Sequence, residues 1–468
     1  MGGGALIQLV AYGVQNVFLT GSPQITYFKS IYRRYTNFAI ESIQQDIIGN
    51  LVPGGRVSVT IQRNGDLLKN IVMQYNPSKV VPIAKSSQKI NSIVSNLGHA
   101  IIKEYEIEIG GQIIDRQYGL WLTIWRDLTD IHINESTLPI VNEYGKLPPF
   151  ASMYNKMAYT YDSYGFTGRA GPNTSDESII TTAPVLTLNT DYASTEAYVP
   201  MRFWFCQNPG LALPLIALQY HEVKFNMLLA NKENIVNFWN YQGSFNEVNI
   251  DFTSIKIYTD YIFLDSTERA KFADNQHEYL IEQLQYDTYT QNKNISSSTY
   301  SIPLTFKHPV KELFFCGKPN NRPDNYIRKL ANGTLQNYIE RGCATYDALV
   351  FGVGIDFTGI NLSLTFNQLP RFSPRNLKYF TREQMWEYHI GAPIYQSYDG
   401  LGCYSFALQP GEHQPSGTCN FSRIENPRLV FTNIDYLNDE SMNDLCLFAI
   451  NYNVLRIGYG MGSLVFSS

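Results

Sequence analysis

Short segments in which apolar and polar residues alternate recur along most of the chain, and this pattern constrains the fold more than any other feature. Residues 56–62 place Val57, Val59 and Ile61 on one face and polar side chains on the other, which is the two-residue period of a half-buried strand. Further strands are predicted at residues 67–73, 103–109, 198–206, 221–229, 250–258, 279–286, 360–366, 428–432 and 445–457. Many short strands predict an all-β protein built from antiparallel sandwiches or barrels.

Two dipeptides are candidate hairpin turns. Asn64-Gly65 follows the strand predicted at 56–62, and Asn-Gly is the dipeptide best suited to the positive φ angles of a type I′ turn. Gly110-Gly111 separates residues 103–109 from a return strand that begins at 112–115. Each dipeptide is therefore predicted to join two adjacent antiparallel strands.

Helices are predicted to be few and short. Residues 118–128 have apolar side chains at helical spacing. The segment 265–268, Asp-Ser-Thr-Glu, resembles a capping box that would open a helix through Phe272. The segment 381–384, Thr-Arg-Glu-Gln, is a second capping box and predicts a helix over 385–389.

The N-terminal segment has an unusual composition. The first 28 residues contain no charged side chain, and Lys29 is the first. Apolar side chains from Leu6 to Val17 recur at helical spacing and form one stripe. Such a stripe needs a surface to cover it, which is either the body of the same chain or the face of a partner or membrane.

The length of 468 residues predicts two domains, each large enough for its own core. Weakly patterned, Asn-rich sequence at 229–247 separates two strand-rich halves. The predicted organisation is an N-terminal arm at 1–28, a first domain at 29–228, a linker at 229–247 and a second domain at 248–468. Polar loops at 161–191 and 318–342 are expected on the surface.

Composition narrows the function classes. Charged residues make up 16% of the chain and aromatic residues 14%, against a usual charged share of about 25%. Low charge with many aromatic groups is typical of surfaces hidden in interfaces, although a β-rich protein also favours Tyr and Phe. The net charge is −5 and no basic cluster exceeds the pair Arg33-Arg34, so direct nucleic-acid binding is not expected.

No motif predicts catalysis. Glu104, Glu106 and Glu108 stand in a row on one face of a strand, which favours a solvated polar face over the facing carboxylates of a glycosidase. His221-Glu222 and His277-Glu278 lack the second histidine of a zinc protease. Gly352-Val353-Gly354 lacks the third glycine of a dinucleotide-binding turn. The prediction is therefore no enzyme, no catalytic residue and no cofactor-binding residue.

The cysteines do not predict a metal site either. Cys206, Cys316, Cys343, Cys403, Cys419 and Cys446 are well separated, and no His or Cys cluster has zinc spacing. Buried thiols in a reducing compartment are the favoured interpretation.

Several segments resemble the major capsid proteins of nucleocytoplasmic large DNA viruses, such as those of phycodnaviruses and mimivirus. They follow the order of that family from end to end. They include residues 4–13 and 19–26, Arg63-Asn-Gly-Asp-Leu67, Glu106-Ile-Glu-Ile-Gly-Gly-Gln112, Tyr118-Gly-Leu-Trp121, residues 214–223, Asp265-Ser-Thr-Glu-Arg269, His277-Glu-Tyr-Leu-Ile-Glu-Gln283, His308-Pro-Val-Lys-Glu-Leu313, Pro415-Ser-Gly-Thr-Cys-Asn-Phe-Ser-Arg423 and Asn451-Tyr-Asn-Val-Leu-Arg456.

The resemblance implies two tandem eight-stranded antiparallel jelly rolls, a homotrimer that forms a pseudo-hexagonal capsomer, and an icosahedral shell. It further implies contacts with neighbouring capsomers, and with minor capsid proteins and an inner membrane face through residues 1–28. The protein is then expected in the virion after assembly in the host cytoplasm. A glycan-binding or carbohydrate-active β-sandwich protein is the alternative.

Overall fold

The computed structural model divides the chain into two compact units, Met1–Phe38 and Ala39–Ser468. The structure describes residues 3–11, 13–80, 90–93, 96–129, 153–158, 196–238, 250–289, 299–318, 328–329, 335–336, 360–391, 401–432 and 444–466. The predicted loop at 161–191 lies outside these residues. Of the loop predicted at 318–342, the described residues are Lys318, Arg328–Lys329 and Leu335–Gln336.

The described residues of the first unit form two short helices, α1 (Gly4–Val10) and α2 (Val14–Thr20). The predicted apolar stripe is therefore divided between two helices of seven residues each. Every described side chain between residues 3 and 38 is exposed to solvent. A helix of this length is marginal in water without a surface to pack against.

The second unit begins with a sandwich of two antiparallel sheets; strands are numbered along the chain. The first sheet has the order β1-β12-β4-β8, with β9 beside β4, and comprises β1 (Phe38–Gln45), β4 (Leu67–Tyr75), β8 (Ala197–Pro200), β9 (Leu213–Pro214) and β12 (Lys256–Leu264). The second sheet has the order β2-β3-β10-β6-β7 and comprises β2 (Ile48–Gly49), β3 (Arg56–Thr60), β6 (Ile102–Ile109), β7 (Gln112–Tyr118) and β10 (Val223–Leu229).

A second sandwich follows with the same plan. It consists of the third and fourth sheets of the chain. The third sheet has the order β13-β24-β15-β21 and comprises β13 (His277–Tyr289), β15 (Pro309–Lys318), β21 (Leu401–Ser405), β22 (Cys419–Asn420), β24 (Asp444–Gly458) and β25 (Met461–Leu464). The fourth sheet has the order β14-β23-β18-β19 and comprises β14 (Thr299–Pro303), β18 (Asn361–Phe366), β19 (Leu369–Pro370), β20 (Arg375–Asn376) and β23 (Arg428–Thr432). Two-stranded ladders join β5 (Ile90–Ile93) to β11 (Val236–Phe238) and β16 (Arg328–Lys329) to β17 (Leu335–Gln336).

The remaining helices of the described residues are short. They are α3 (Pro77–Val80), α4 (Leu97–Ala100), α5 (Gly119–Thr129), α6 (Met153–Ala158), α7 (Trp204–Gln207), α8 (Ser266–Asp274) and α9 (Gln384–Tyr388), with 3₁₀ turns at Pro209–Leu211, Leu215–Ala217, Lys232–Asn234 and Phe421–Arg423. None of the helices in the described residues is long and apolar enough to cross a membrane. The predicted all-β class with a few short helices is confirmed.

Strand β24 shows how the second sandwich is built. Leu445, Leu447 and Ala449 enter the core between the third and fourth sheets, whereas Cys446 and Phe448 enter a different cluster on the other face. Because neighbouring residues of a strand point to opposite faces, the apolar run at 445–450 of β24 means that the third sheet is buried on both sides there.

The structure confirms one predicted hairpin and contradicts the other. Gly110 and Gly111 have φ angles of 57° and 86°, and they join β6 to β7 in antiparallel register. The hairpin predicted at Asn64-Gly65 is wrong, because β3 pairs with β10 and β2, whereas β4 belongs to the opposite sheet. The segment instead connects a strand of the second sheet to a strand of the first sheet of the same sandwich. A Cβ atom on Gly65 would lie 2.7 Å from Cβ of Tyr261, so glycine is needed for a close approach.

The pairing of β12 contradicts the predicted domain boundary. Lys256–Leu264 hydrogen-bonds to β4 of the first sandwich, although residues from 248 onward were predicted to belong to the second domain. The predicted linker at 229–247 also overlaps Leu229 at the end of β10 and the ladder strand β11. Strand pairing therefore moves to the second sandwich only after Leu264.

Of the two predicted capping boxes, the first caps a helix and the second does not. Asp265 is the N-cap of α8 and accepts a hydrogen bond from the Ser266 amide at 2.8 Å. The second cap is wrong, because a π-helical turn at Tyr379–Glu383 continues directly into α9, although the helix predicted over 385–389 is present as α9. The Thr381 hydroxyl donates to the carbonyl of Leu377 within that continuous helix. Helix α5 closely matches the prediction at 118–128.

Candidate assembly surfaces and inter-sandwich junction

The three glutamates of β6 do not form a solvated row. Glu106 is only 3% exposed, and its carboxylate forms ion pairs with the guanidinium groups of Arg56 and Arg116, the second at 2.9 Å. The prediction of a solvated face is therefore wrong for Glu106, while Glu104 and Glu108 are half-buried. Arg116 lies on the adjacent strand β7 and Arg56 lies on β3, on the far side of β10. Both arginines cover the carboxylate, so this group stabilises the sheet.

The two His-Glu pairs have structural contacts. Nδ1 of His221 lies 3.1 Å from the carbonyl oxygen of Gly462, which links the first sandwich to the hairpin β24–β25. Nε2 of His277 donates to the carbonyl of Phe272 at 2.8 Å. Gly352-Val353-Gly354 lies outside the described residues.

Helix α5 joins the two sandwiches. Its buried side chains pack against the outer face of the third sheet, and we call this contact the inter-sandwich junction. The ring of Trp121 lies 5.3 Å from each of the rings of Phe314 and Phe448. Aromatic pairs at this separation add to the free energy gained from burial. The junction therefore holds the two sandwiches together as a packed core would.

Polar contacts also cross the junction. Oδ1 of Asp115 on β7 accepts from the amide of Leu284 on β13 at 3.1 Å, and the Tyr220 amide donates to the carbonyl of Gly460 at 2.9 Å. Burial raises the pKa of Asp115 to about 7 from 3.8, although hydrogen bonds from Gln117 and Leu284 oppose the shift. A proton on Asp115 therefore stabilises the folded chain at mildly acidic pH.

Three polar side chains are buried beside the junction, and we call them the Glu312 cluster: Glu312, His389 and Cys403. Nε2 of His389 lies 2.7 Å from Oε1 of Glu312, and their side chains are 4% and 1% exposed. The pKa of the Cys403 thiol is well above its ordinary value, because the thiol is buried and lies beside the Glu312 carboxylate. The cluster could not be predicted from the sequence, because Glu312 and His389 are 77 positions apart and no short motif contains both.

Crevices beside Arg202 contain charged rather than purely apolar groups. The Arg202 guanidinium stacks on the ring of Trp125, with Cζ 3.7 Å from the ring centroid, and burial lowers its pKa to about 10. It borders one cavity of about 290 Å³ and a second of about 360 Å³. The second cavity lies between the sandwiches, since Glu282 and His413 also line it.

Large apolar side chains are exposed at several places in the described residues, including the arm, the C-terminal hairpin and the surroundings of α9. In the arm, Leu9, Val10 and Leu19 are 77%, 81% and 87% exposed. At the C-terminal hairpin, Tyr220, Tyr459 and Met461 form an exposed group, in which the Tyr220 ring lies over Gly460. Near α9, Trp386 and Ile390 are 83% and 88% exposed. Exposed apolar groups of this size are typical of surfaces that bind other chains.

Two tandem sandwiches fixed by a buried junction, with apolar groups left at the surface, define the class of double jelly-roll coat proteins. A chain of the quasi-atomic model of the PBCV-1 virus capsid superimposes with a TM-score of 0.66 and 29% identity, over 95% of this chain and all of that chain. A Faustovirus major capsid protein shares the fold, with a TM-score of 0.58 and 13% identity, over 97% of this chain and 96% of that one. The predicted double jelly roll is confirmed.

Sequence comparison gives the particular family. The model described as the N-terminus of the major capsid protein matches residues 26–265, and the model of the large eukaryotic DNA virus major capsid protein matches residues 268–463. The major capsid proteins of Pyramimonas orientalis virus and Paramecium bursaria Chlorella virus 1 are 37% and 36% identical. They align over 100% and 99% of this chain and over the whole length of each relative.

The chain belongs to the family of large eukaryotic DNA virus major capsid proteins. Its function is therefore to form the icosahedral capsid of such a virus, and its place is the virion. These relatives are structural capsid proteins rather than enzymes. The family decides in favour of the capsid interpretation over a glycan-binding or carbohydrate-active protein.

Proposed function

We propose that three copies of the chain assemble into a capsomer with a pseudo-hexagonal outline, which tiles the capsid with neighbouring capsomers. The observation that carries the proposal is the pair of sandwiches held together by the buried junction. Three copies around a threefold axis place six sandwiches in a ring, and such a ring can pack against six neighbours. The low charged fraction of 16% supports extensive contacts between copies.

Light scattering coupled to size-exclusion chromatography tests the trimer. We expect a particle of three times the 53.3 kDa of the chain, with more than about 2,000 Å² buried between each pair of chains, as in obligate assemblies. A stable monomer at micromolar concentration would contradict the proposal.

Residues 1–28 form an inward-facing arm that binds minor capsid proteins and the inner membrane face. Its exposed apolar side chains and its lack of charge support this role. Lys29, Arg33 and Arg34 follow, and no acidic residue occurs before Glu41. The adjoining segment is therefore positively charged and suits an acidic surface.

Hydrogen exchange on free trimers and on intact particles tests the arm. We expect fast exchange over residues 4–20 in trimers and protection in particles, because an isolated helix this short is unstable. Deletion of residues 2–20 should leave soluble trimers that do not form shells. Strong protection in both states, or loss of folding on deletion, would show that the arm packs on its own subunit.

The two jelly-roll domains meet near Asp265. The pairing of β12 with β4 and the family matches at 26–265 and 268–463 support this boundary. Limited proteolysis in mild denaturant should release fragments that end near residue 265. Cleavage confined to 229–247 would support the linker predicted from sequence instead.

The loops at 161–191 and 318–342 face the exterior of the virion, and the shell has no direct contact with nucleic acid. Their polar composition supports this orientation, and intact particles should be cut by protease in both loops. Complete protection of both loops would mean that they are buried between capsomers.

Assembly takes place in the host cytoplasm, a reducing compartment that suits the thiols of Cys206, Cys403 and Cys419, which form no disulfide.

A further inference from the structure

The Glu312 cluster brings together three metal-binding side chains from three separate elements. Glu312 lies on β15, His389 follows α9 and Cys403 lies on β21. Their donor atoms, a carboxylate oxygen, an imidazole nitrogen and Sγ, all lie within 4.8 Å of one another. All three side chains are withdrawn from solvent, which distinguishes the group from an exposed acidic cluster.

We propose that the Glu312 cluster is a binding site for a thiophilic divalent cation, with Zn²⁺ as the matching ion. Imidazole nitrogen, thiolate and carboxylate are the ligands that zinc takes in proteins, and a water completes four-coordination when the protein supplies three. The cation replaces the thiol proton of Cys403, which passes to solvent. It also displaces the proton that lies between Nε2 of His389 and Oε1 of Glu312, and the neutral imidazole then carries its proton on Nδ1. Zn²⁺ with one thiolate, one carboxylate and one neutral imidazole has no net charge.

The surroundings favour such a neutral site. Phe314 lies directly opposite Cys403 on the neighbouring strand, and its ring centroid is 5.6 Å from that of His389. The buried side chains of Met385 and Leu401 belong to the same cluster of apolar residues. A carboxylate buried in such a layer must be paired, and Nε2 of His389 pairs it here. A bound cation of balancing charge would take the place of that contact.

The geometry requires only a small adjustment. Tetrahedral zinc with bonds of about 2.1–2.3 Å separates its ligand atoms by about 3.4–3.7 Å. Nε2 of His389 and Oε1 of Glu312 are 2.7 Å apart, so metal entry must widen this pair by about 1 Å, within reach of side-chain rotation.

The site would fasten α9 to the third sheet next to the junction. His389 is two positions from Gly391, whose amide donates to the carbonyl of Leu128 at the end of α5 at 2.9 Å. A metal at the Glu312 cluster therefore braces the segment that links the second sandwich to α5. It also fixes the helix that carries the exposed Trp386.

Metal binding is measured on the purified full chain. After incubation with Zn²⁺ and dialysis, elemental analysis should find one zinc per chain. With Co²⁺ in place of zinc, a thiolate-to-cobalt charge-transfer band should appear. Cys403→Ser should abolish that band, and both Cys403→Ser and His389→Gln should weaken metal binding at least about 100-fold, beyond the 10–100-fold effect of losing an outer partner of a ligand.

Cys419→Ser is the matched control, because Cys419 is a partly buried thiol on the short strand β22. This variant should leave the charge-transfer band unchanged. If Cys403→Ser fails to fold, the band in the unchanged protein and its loss in His389→Gln still test the site. Absence of zinc and of the charge-transfer band in the unchanged protein would overturn the proposal. Equal retention of metal by Cys403→Ser would overturn it as well.

Discussion

Replacement of Trp121 by alanine tests whether the inter-sandwich junction stabilises the subunit. Trp121 is 3% exposed, and its ring contacts Phe314, Phe448 and Trp125. A buried Trp side chain removes about 200 Å² from water, which at about 25 cal/mol per Å² corresponds to about 5 kcal/mol. Because extended-chain areas are upper bounds, we expect Trp121→Ala to lower the free energy of unfolding by about 3–5 kcal/mol.

Trp386→Ala is the matched control, because Trp386 is 83% exposed in the same unit and its loss should change the free energy of unfolding by no more than about 0.5 kcal/mol. Both variants are compared with the unchanged protein by guanidinium denaturation at one protein concentration, since assembly makes stability depend on concentration. The variant Trp121→Ala should also speed hydrogen exchange at the Leu284 amide, which bonds across the junction to Asp115. Equal effects of the two Trp substitutions would refute a stabilising role of the junction.

Two further substitutions examine the same region. Gly391→Ala would place Cβ 2.4 Å from the carbonyl oxygen of Asp127, so we expect the free energy of unfolding to fall by about 1–3 kcal/mol in thermal or chemical denaturation. The control Gly411→Ala places its Cβ in open space and should leave the free energy of unfolding unchanged. Similar losses in the two variants would exclude the clash as the cause. Burial raises the pKa of Asp115 from 3.8 to about 7. The stability that the Asp115 proton contributes is therefore complete below about pH 4 and is lost as the pH rises through about 7. At about 1.4 kcal/mol per pKa unit, the loss in unfolding free energy is at most about 4 kcal/mol. Asp115→Asn should therefore flatten the fall in unfolding free energy between pH 4 and 8, and an unchanged slope would show that this group does not titrate with folding.

Many of the strands could be predicted from the sequence because the two-residue period is a local property. The strand predicted at 198–206 is wrong beyond Pro200, since α7 follows, and the strand predicted at 250–258 begins only at Lys256. Arg428–Thr432 is a strand with the bounds that its pattern predicts, and the positive φ angles of Gly110 and Gly111 follow from their lack of a side chain. Helix α5 was predicted for the same reason, since apolar residues at helical spacing define the face that it buries. The end-to-end resemblance to capsid proteins gave the fold class and the function.

Tertiary structure decided which strands are neighbours. Alternation indicates which face of a strand is apolar, but it does not indicate which other strand completes the sheet. Asn64-Gly65 has the composition of a hairpin turn, yet β3 and β4 enter opposite sheets because each must cover the same core from its own side. Likewise, β12 follows the weakly patterned segment 229–247 and still returns to β4.

Tertiary structure also decided the environment of the polar groups. Glu106 occupies a polar position in an alternating strand, and only the arrangement of β3, β6 and β7 brings Arg56 and Arg116 over it. Glu312 and His389 are far apart in sequence, so no spacing could show that packing of α9 against the third sheet places them 2.7 Å apart. The sequence by itself determined many of the strands, the first turn of α8 and the family. The contacts between distant segments depend on how complete sheets pack, and a local pattern does not contain that information.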